Sequence, residues 1–171
     1  MVLTIPVFTV LADDESRKKE KEKRKLENSN MKIFLLLDPP RATAQMQKVS
    51  VVNGKPRFYK PPKVQKAKND LIKHLKTFKP TKPMEGPLEL HSTWRFPKGR
   101  HKHNEWKITK PDTDNMEKML KDCMTDLGFW MDDAQVVKET AEKMWSDEPT
   151  GIQIEINILP KIKEDAHHGE D

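Results

Sequence analysis

The sequence predicts an α+β fold in which a small sheet is covered by helices on one face. The predicted strands and helices follow one another without a regular strand–helix–strand alternation, so a doubly wound parallel sheet is not expected. The clearest strands alternate apolar and polar residues, which is typical of a sheet with one solvated face. The 171 residues suffice for one domain, but only 35% are hydrophobic and 35% are charged. The hydrophobic core is therefore predicted to be modest.

Both ends of the chain are predicted to lie outside this core. The segment DDESRKKEKEKRKLENSN (residues 13–30) mixes cations and anions with almost no apolar side chain, which indicates an exposed helix or a disordered arm. The apolar segment before it, MVLTIPVFTVLA, lacks preceding basic residues, so a secretory signal is not expected. We predict a charged extension over residues 1–30, a folded domain over 31–160 and a polar, frayed tail over 161–171.

The elements of the folded domain follow from local patterns. The apolar run MKIFLLL, ended by DPP, predicts a buried strand. Residues 41–62 form a predicted basic loop in which Asn53 and Gly54 signal a turn. LELHSTWRF and IQIEINI alternate with period two and predict strands, whereas residues 136–145 are ambiguous. Helical spacing predicts a first helix on these apolar positions: Val64, Ala67, Leu71, Ile72, Leu75 and Phe78.

Charge is distributed very unevenly along the chain. Residues 41–110 contain 18 Lys and Arg against 4 Asp and Glu, a balance of +14, and residues 111–171 contain 6 against 16, a balance of −10. A strongly basic third suits a polyanion such as DNA, because each neutralised phosphate releases counterions. The alternative is a solvated surface whose lysines serve solubility.

Cysteine content and hydropathy exclude several classes of protein. Cys123 is the only cysteine, so there is no internal disulfide, and no Cys/His zinc pattern is present. No apolar run approaches the roughly 20 residues that cross a bilayer. We therefore expect a soluble cytoplasmic protein without a membrane partner.

The motif KPDTDN (residues 110–115) places two aspartates one residue apart. Two carboxylates about 4 Å apart repel by roughly 1 kcal/mol in water and roughly 4 kcal/mol at an effective dielectric near 20, so a bound cation is expected. A helix is predicted directly after the motif. Asp114 stands where an N-cap is expected, which by itself contributes about 1 kcal/mol. Asp112 is not needed for capping.

Further carboxylates follow the predicted helix in FWMDDAQ, where Asp132 and Asp133 form either a surface turn or part of a metal site. Three or four carboxylates without histidine or cysteine suit Mg²⁺ or Mn²⁺. Such ions promote phosphodiester hydrolysis. Lys118, four residues after Asp114, would neutralise a phosphate in the transition state; the alternative is a simple ion pair with that aspartate.

Basic residues on both sides of the motif are candidate phosphate contacts. His101 and His103 also suit phosphate contact better than metal binding, since cations surround them. Tyr59 and Trp106 would either stack on bases or pack in the core. The candidate DNA-binding cations are Arg57, Lys60, Lys66, Arg100, Lys102, Lys107, Lys110 and Lys121.

Over roughly residues 31–159 the chain resembles the RusA family of Holliday junction resolvases from phages and prophages. The resemblance runs from PPRATAQ through EGPLELHSTWRFP and KPDTDNMEKMLKDCMTDLGFWMDDAQVV to EPTGIQIEINI. It implies an α+β homodimer with a small mixed sheet, active in the bacterial cytoplasm on four-way DNA junctions. It also implies that Asp112, Asp114 and Asp133 bind Mg²⁺, with Asp132 the less certain ligand. Lys118 matches a lysine that the family also requires.

The resulting hypothesis is a Mg²⁺-dependent endonuclease that resolves junctions by paired nicks during DNA recombination and repair. One alternative is a nuclease with the same metal site that acts on other branched DNA, such as forks or flaps. The other is a non-catalytic DNA-binding module, in which the aspartates only cap a helix and form a turn.

Overall fold

The computed structural model describes residues 30–43, 48–59 and 61–160. Nearly all of the predicted N-terminal extension, the whole C-terminal tail and Lys60 lie outside the described residues. In the described part the elements are β1 (Asn30–Leu35), β2 (Lys48–Val52), β3 (Lys55–Tyr59), α1 (Pro62–Leu75), β4 (Leu88–Pro97), α2 (Thr113–Leu127), β5 (Val136–Ser146) and β6 (Gly151–Ile158). One short 3₁₀ turn, Lys76–Phe78, follows α1, and another, Asp133–Gln135, precedes β5.

Four strands form one mixed sheet in the order β1–β6–β4–β5. Strands β4 and β5 are parallel, and the other two pairs are antiparallel. A parallel pair requires a crossover connection, which here contains α2. The ambiguous segment is thus the edge strand β5. Residues 137–140 are exposed there, so no alternation in hydrophobicity marks the first half of the strand.

Both helices pack on the same face of the sheet, as the sequence predicted. Full burial of one large apolar side chain contributes about 1.5–3 kcal/mol. The opposite face is polar and carries ion pairs such as Lys32 with Glu155 and Lys138 with Glu89. The main core side chains are Leu71 and Leu75 from α1, Met116, Leu120 and Met124 from α2, Leu88, Leu90, Trp94 and Phe96 from β4, and Ile152, Ile154 and Ile156 from β6.

Strand β1 differs from its prediction in one respect. Ile33 and Leu35 are buried, but Phe34 is 37% and Leu36 65% exposed. The run therefore occupies an edge strand with one buried face, and its uniform hydrophobicity does not reflect burial on both sides.

The predicted basic loop contains a hairpin. Strands β2 and β3 pair in antiparallel register from Lys48 with Tyr59 to Val52 with Lys55. Asn53 and Gly54 have φ angles of 52° and 74°, the left-handed conformation of a two-residue hairpin turn. The turn was predicted correctly, whereas the strands were not, because cations and a proline interrupt their apolar pattern.

In the part of the chain with assigned structure, neither α-helix combines the length and the hydrophobicity of a membrane span.

Candidate active site

The first turn of α2 presents both aspartates of the KPDTDN motif. The helix begins at Thr113, so Asp112 occupies the N-cap position and Asp114 lies in the first turn. This corrects the prediction that Asp114 is the N-cap. The Asp112 side chain makes no capping hydrogen bond. Both side chains are exposed, and neither forms an ion pair or hydrogen bond with another described residue. Helix capping therefore does not explain either carboxylate.

Lys118 lies one turn further along α2 and is also exposed. Residues four apart on a helix lie on the same face. Among the described residues, however, no salt bridge within 4.0 Å joins the Lys118 ammonium to Asp114 or to any other carboxylate. The alternative of a simple ion pair with Asp114 is thus not realised, although Lys118 shares a helix face with this aspartate.

The two aspartates after α2 differ in what they contact. Asp132 caps the 3₁₀ turn: its carboxylate accepts from the Ala134 N–H at 2.8 Å. Gln135 completes a capping box, since its Oε1 accepts from the Asp132 N–H at 3.3 Å. The Asp133 side chain is exposed and forms no hydrogen bond or ion pair with other described residues. The spacing D-x-x-Q was a signal for this box that the sequence prediction missed.

The structure does not bring Asp133 to the motif aspartates within one chain. From Asp114 to Leu127 helix α2 rises by about 20 Å. Strand β5 runs back along the helix. Lys143, whose ammonium donates to the Pro111 carbonyl oxygen, lies about 23 Å along this strand from Val136. Accordingly, no group of three His, Cys, Asp or Glu side chains suited to a metal occurs within residues 30–43, 48–59 and 61–160.

The loop before the motif is attached to the outer edge of β5. The N–H of Trp145 donates to the Glu105 carbonyl at 2.8 Å, and the N–H of Lys107 donates to the Lys143 carbonyl at 3.1 Å. His101 stacks on the Trp145 ring with centroids 4.3 Å apart. His101 therefore helps to hold the loop, as does His103, whose ring accepts a hydrogen bond from the Asp147 N–H.

Lys107 does not lie where the sequence predicted. Its side chain is only 4% exposed, and its ammonium donates to carbonyl oxygens of the same loop, including that of Lys110 at 2.7 Å. Burial lowers the pKa of Lys107, and nearby Lys143 and Arg41 lower it further. A buried ammonium with these contacts does not suit direct binding of a DNA phosphate.

The other predicted phosphate contacts divide into three groups. Lys121 forms an ion pair with Glu139, so its charge is already compensated. The Arg57 side chain, like Lys60, lies outside what the structure describes. Trp106, for which packing was one alternative, is 61% exposed and available for contact with bases. Four predicted cations are exposed: Lys66, which also pairs with Asp70 at 3.9 Å, Arg100, Lys102 and Lys110.

Glu117 is a buried carboxyl group beneath the motif that the sequence prediction missed. It is 1% exposed and accepts hydrogen bonds from Ser92 Oγ and, at 2.8 Å, from Trp94 Nε1. Its Oε2 has no partner in the described structure. Burial raises the pKa of Glu117. A serine on the buried face of β4 was a signal, because a buried hydroxyl requires a partner.

Two comparisons identify the family. A family model described as "Endodeoxyribonuclease RusA" matches residues 39–157. The protein named crossover junction endodeoxyribonuclease rusA of Lactococcus phage r1t is 35% identical over 125 residues, which cover 70% of this chain and 92% of the phage protein. The chain belongs to the RusA family. It is thus an endodeoxyribonuclease, and the RusA match includes the motif aspartates, Lys118 and Asp133.

Two solved structures that align with this RusA protein resemble it only weakly. A Thermotoga maritima protein described as having a fatty acid binding function aligns with a TM-score of 0.35 and 12% identity, covering 85% of this chain and 48% of the other. A DegV lipid-binding protein from the same organism gives 0.34 and 13%, covering 85% and 49%. The chain thus spans about half of each, and likenesses this weak carry nothing about fold or function.

The donor set of this RusA chain suits a hard divalent cation. Carboxylate oxygens are the ligands that Mg²⁺ and Mn²⁺ prefer. Asp112 and Asp114 supply two such groups close together, and no protein hydrogen bond from the described residues competes for them. Among the described residues, no third Asp, Glu, His or Cys side chain completes a metal-binding group with them.

Proposed function

We propose that this RusA-family endodeoxyribonuclease uses Mg²⁺ or Mn²⁺ to resolve four-way DNA junctions as a homodimer, in DNA recombination and repair. The observation that carries the proposal is the pair of exposed aspartates at the start of α2, which neither cap the helix nor form ion pairs with described residues. The name of the phage relative supports the junction as the substrate.

Asp112 and Asp114 would hold the metal, which when bound polarises the scissile phosphate and favours attack by water. Lys118, exposed one turn along the same helix, would stabilise the negative charge that develops on the phosphate. Asp133 would be the third carboxylate, and its lack of a structural role favours it over Asp132, which caps a turn.

A second copy of the chain would supply Asp133. This aspartate follows the far end of α2, which rises by about 20 Å from Asp114 to Leu127, and a two-fold axis that pairs opposite ends of the two helices would create two identical sites. Exposed apolar side chains at both ends favour such a contact. Trp106 and Ile108, before the motif, are 61% and 92% exposed, and Met131 and Val137, around Asp133, are 75% and 64% exposed.

Two sites related by a two-fold axis match the symmetry of a four-way junction. The exposed cations Arg100 and Lys102 of the loop before the motif, and Lys110 at its start, would contact phosphates next to the metal. Such contacts carry no sequence information, so preference for a junction over a duplex would come from shape and deformability.

Cleavage of a synthetic immobile four-way junction tests the proposal. We expect paired, symmetric nicks on a denaturing gel with Mg²⁺ and none with EDTA. Three-way, flap, fork and linear substrates run in parallel distinguish a junction resolvase from a nuclease for other branched DNA. Junction binding without cleavage in either Mg²⁺ or Mn²⁺ would contradict the proposal and favour a DNA-binding module.

A further inference from the structure

Two lysine side chains bind the three backbone carbonyl groups that directly precede Asp112. The Lys107 ammonium donates to the carbonyl oxygens of Thr109 at 3.3 Å and Lys110 at 2.7 Å. The Lys143 ammonium donates to the carbonyl oxygens of Thr109 at 3.0 Å and Pro111 at 2.6 Å. All three carbonyl groups before the first motif aspartate are therefore held by side chains.

Both lysines are themselves well fixed. Lys107 is buried, and its ammonium lies 4.3 Å from the centroid of the Trp145 ring and 5.2 Å from that of Phe96. Lys143 belongs to strand β5 and also accepts a backbone hydrogen bond from Lys107. The contacts thus connect the loop to the edge of the sheet through two anchored side chains.

Neither ammonium has an anionic partner among the described residues. Both donate to neutral oxygens, and the two positive charges lie close enough together that Lys143 lowers the pKa of Lys107, after the larger effect of burial. A buried charge without a counter-ion costs free energy, and an apolar side chain of similar volume would avoid that cost. The arrangement is therefore unfavourable for packing alone, which points to a role for the carbonyl contacts.

The backbone at Asp112 needs such support more than that at Asp114. Asp114 lies inside α2, where the helix fixes its backbone, whereas Asp112 is the last residue of the loop. Metal ligands must be held within about 0.5 Å of their productive positions, by neighbours that are themselves packed and hydrogen-bonded.

We propose that Lys107 and Lys143 are positioning residues: they fix the loop before Asp112 so that its carboxylate and that of Asp114 keep the geometry a divalent metal requires. The inference rests on the proposed function. Neither lysine needs to touch the metal or the DNA. Loss of an outer-shell partner of a metal ligand typically lowers metal affinity by about 10- to 100-fold.

The test is Mn²⁺ binding to the DNA-free protein, measured by titration calorimetry for wild type, Lys143→Met and Lys107→Met. We expect an affinity loss of about 10- to 100-fold in either variant, and a matching rise in the Mg²⁺ concentration that gives half-maximal junction cleavage. Junction affinity in EDTA should not change. Lys32→Met, which removes an exposed lysine on the opposite edge of the sheet, is the control and should behave as wild type.

A conservative variant separates positioning from general stability. Lys143→Arg retains donors that can reach the carbonyl groups and should recover part of the Mn²⁺ affinity that Lys143→Met loses. The inference is wrong if Lys107→Met or Lys143→Met has the melting temperature of Lys32→Met and the Mn²⁺ affinity of wild type. If either methionine variant does not fold, the other variant and Lys143→Arg decide.

The outcomes for wild type and variants are distinguishable. If the wild-type protein neither binds Mn²⁺ nor cuts the junction, the proposed function is wrong and the positioning role with it. If the wild type does both and every lysine variant matches it, only the positioning role is wrong.

Discussion

At the scale of single residues, the pair Asp132 and Asp133 offers a sharp test of the metal site. We expect Asp133→Asn to reduce junction cleavage at least about 100-fold, because it removes a carboxylate ligand. Asp132→Asn should cut like wild type, since asparagine caps a turn as well as aspartate does. Initial rates of nicking in Mg²⁺ measure both variants. Equal activities of the two variants would contradict the assignment of Asp133.

Glu117 predicts a specific pH dependence of stability. Its pKa is raised above the ordinary value of 4.5, mainly by burial and also by Glu139, against the lowering effects of Ser92, Trp94 and Lys121. The folded state therefore holds a proton that the unfolded state releases. This contribution to stability is fully present below pH 4.5 and is lost as the pH rises through the folded-state pKa.

Glu117→Gln removes this dependence and still offers an oxygen to Ser92 and Trp94. At pH 8 we expect the variant to melt about 2–4 °C above wild type. An increase of about 1 kcal/mol in the free energy of unfolding gives a shift of this size in a chain of this length. The difference should shrink as the pH falls toward 4.5. Thermal denaturation of both proteins at several pH values measures it. A constant difference across this range would show that Glu117 does not titrate as described.

At the scale of elements, the loop between β4 and α2 is expected to provide sequence-independent contacts to phosphates. Arg100→Ala and Lys102→Ala should each weaken junction binding and reduce the slope of log affinity against log salt by about 1. Binding in EDTA at several salt concentrations measures both effects, and Lys32→Ala is the matched control. An unchanged slope in both loop variants would remove this loop from the DNA interface.

The elements also show why local patterns predicted some parts of the fold and not others. Strands β4 and β6 lie in the middle of the sheet, so their alternation in the sequence reflects one buried and one polar face. Strand β5 lies at the edge, where its first half is exposed. Its strand conformation depends on pairing with β4, which is distant in sequence, so no local pattern predicts it.

At the scale of the whole molecule, the proposed dimer predicts complementation between two inactive proteins. In a mixed dimer of Asp112→Asn and Asp133→Asn chains, one composite site carries both substitutions and the other carries neither. With random mixing of equal amounts, about a quarter of all sites would be intact. We expect the mixture to regain single nicks at about this level, without paired cuts.

The mixture should be prepared by unfolding and refolding the two variants together, with each variant refolded alone as a control. Nicks are counted on a junction whose strands carry different labels. If each chain holds a complete site of its own, no activity returns on mixing, and the shared site is refuted.

The local features of this protein follow from its amino-acid sequence alone: the two aspartates before a helix, the helical and strand periodicities, the hairpin turn and the basic middle third. These depend on residues close together in the chain. The family resemblance, which rests on the same motifs, was confirmed by the comparisons.

The folded structure was needed to show which side chains meet. It placed Asp133 at the opposite end of α2 from Asp114, buried Lys107 against two aromatic rings, and paired Glu117 with a serine and a tryptophan of β4. Each of these depends on the crossover that lays α2 along β5, and contacts across such a connection leave no periodic signal in the sequence. The carboxylates of the motif could therefore be predicted from the sequence, whereas the separation of Asp133 from Asp114 along α2 could not.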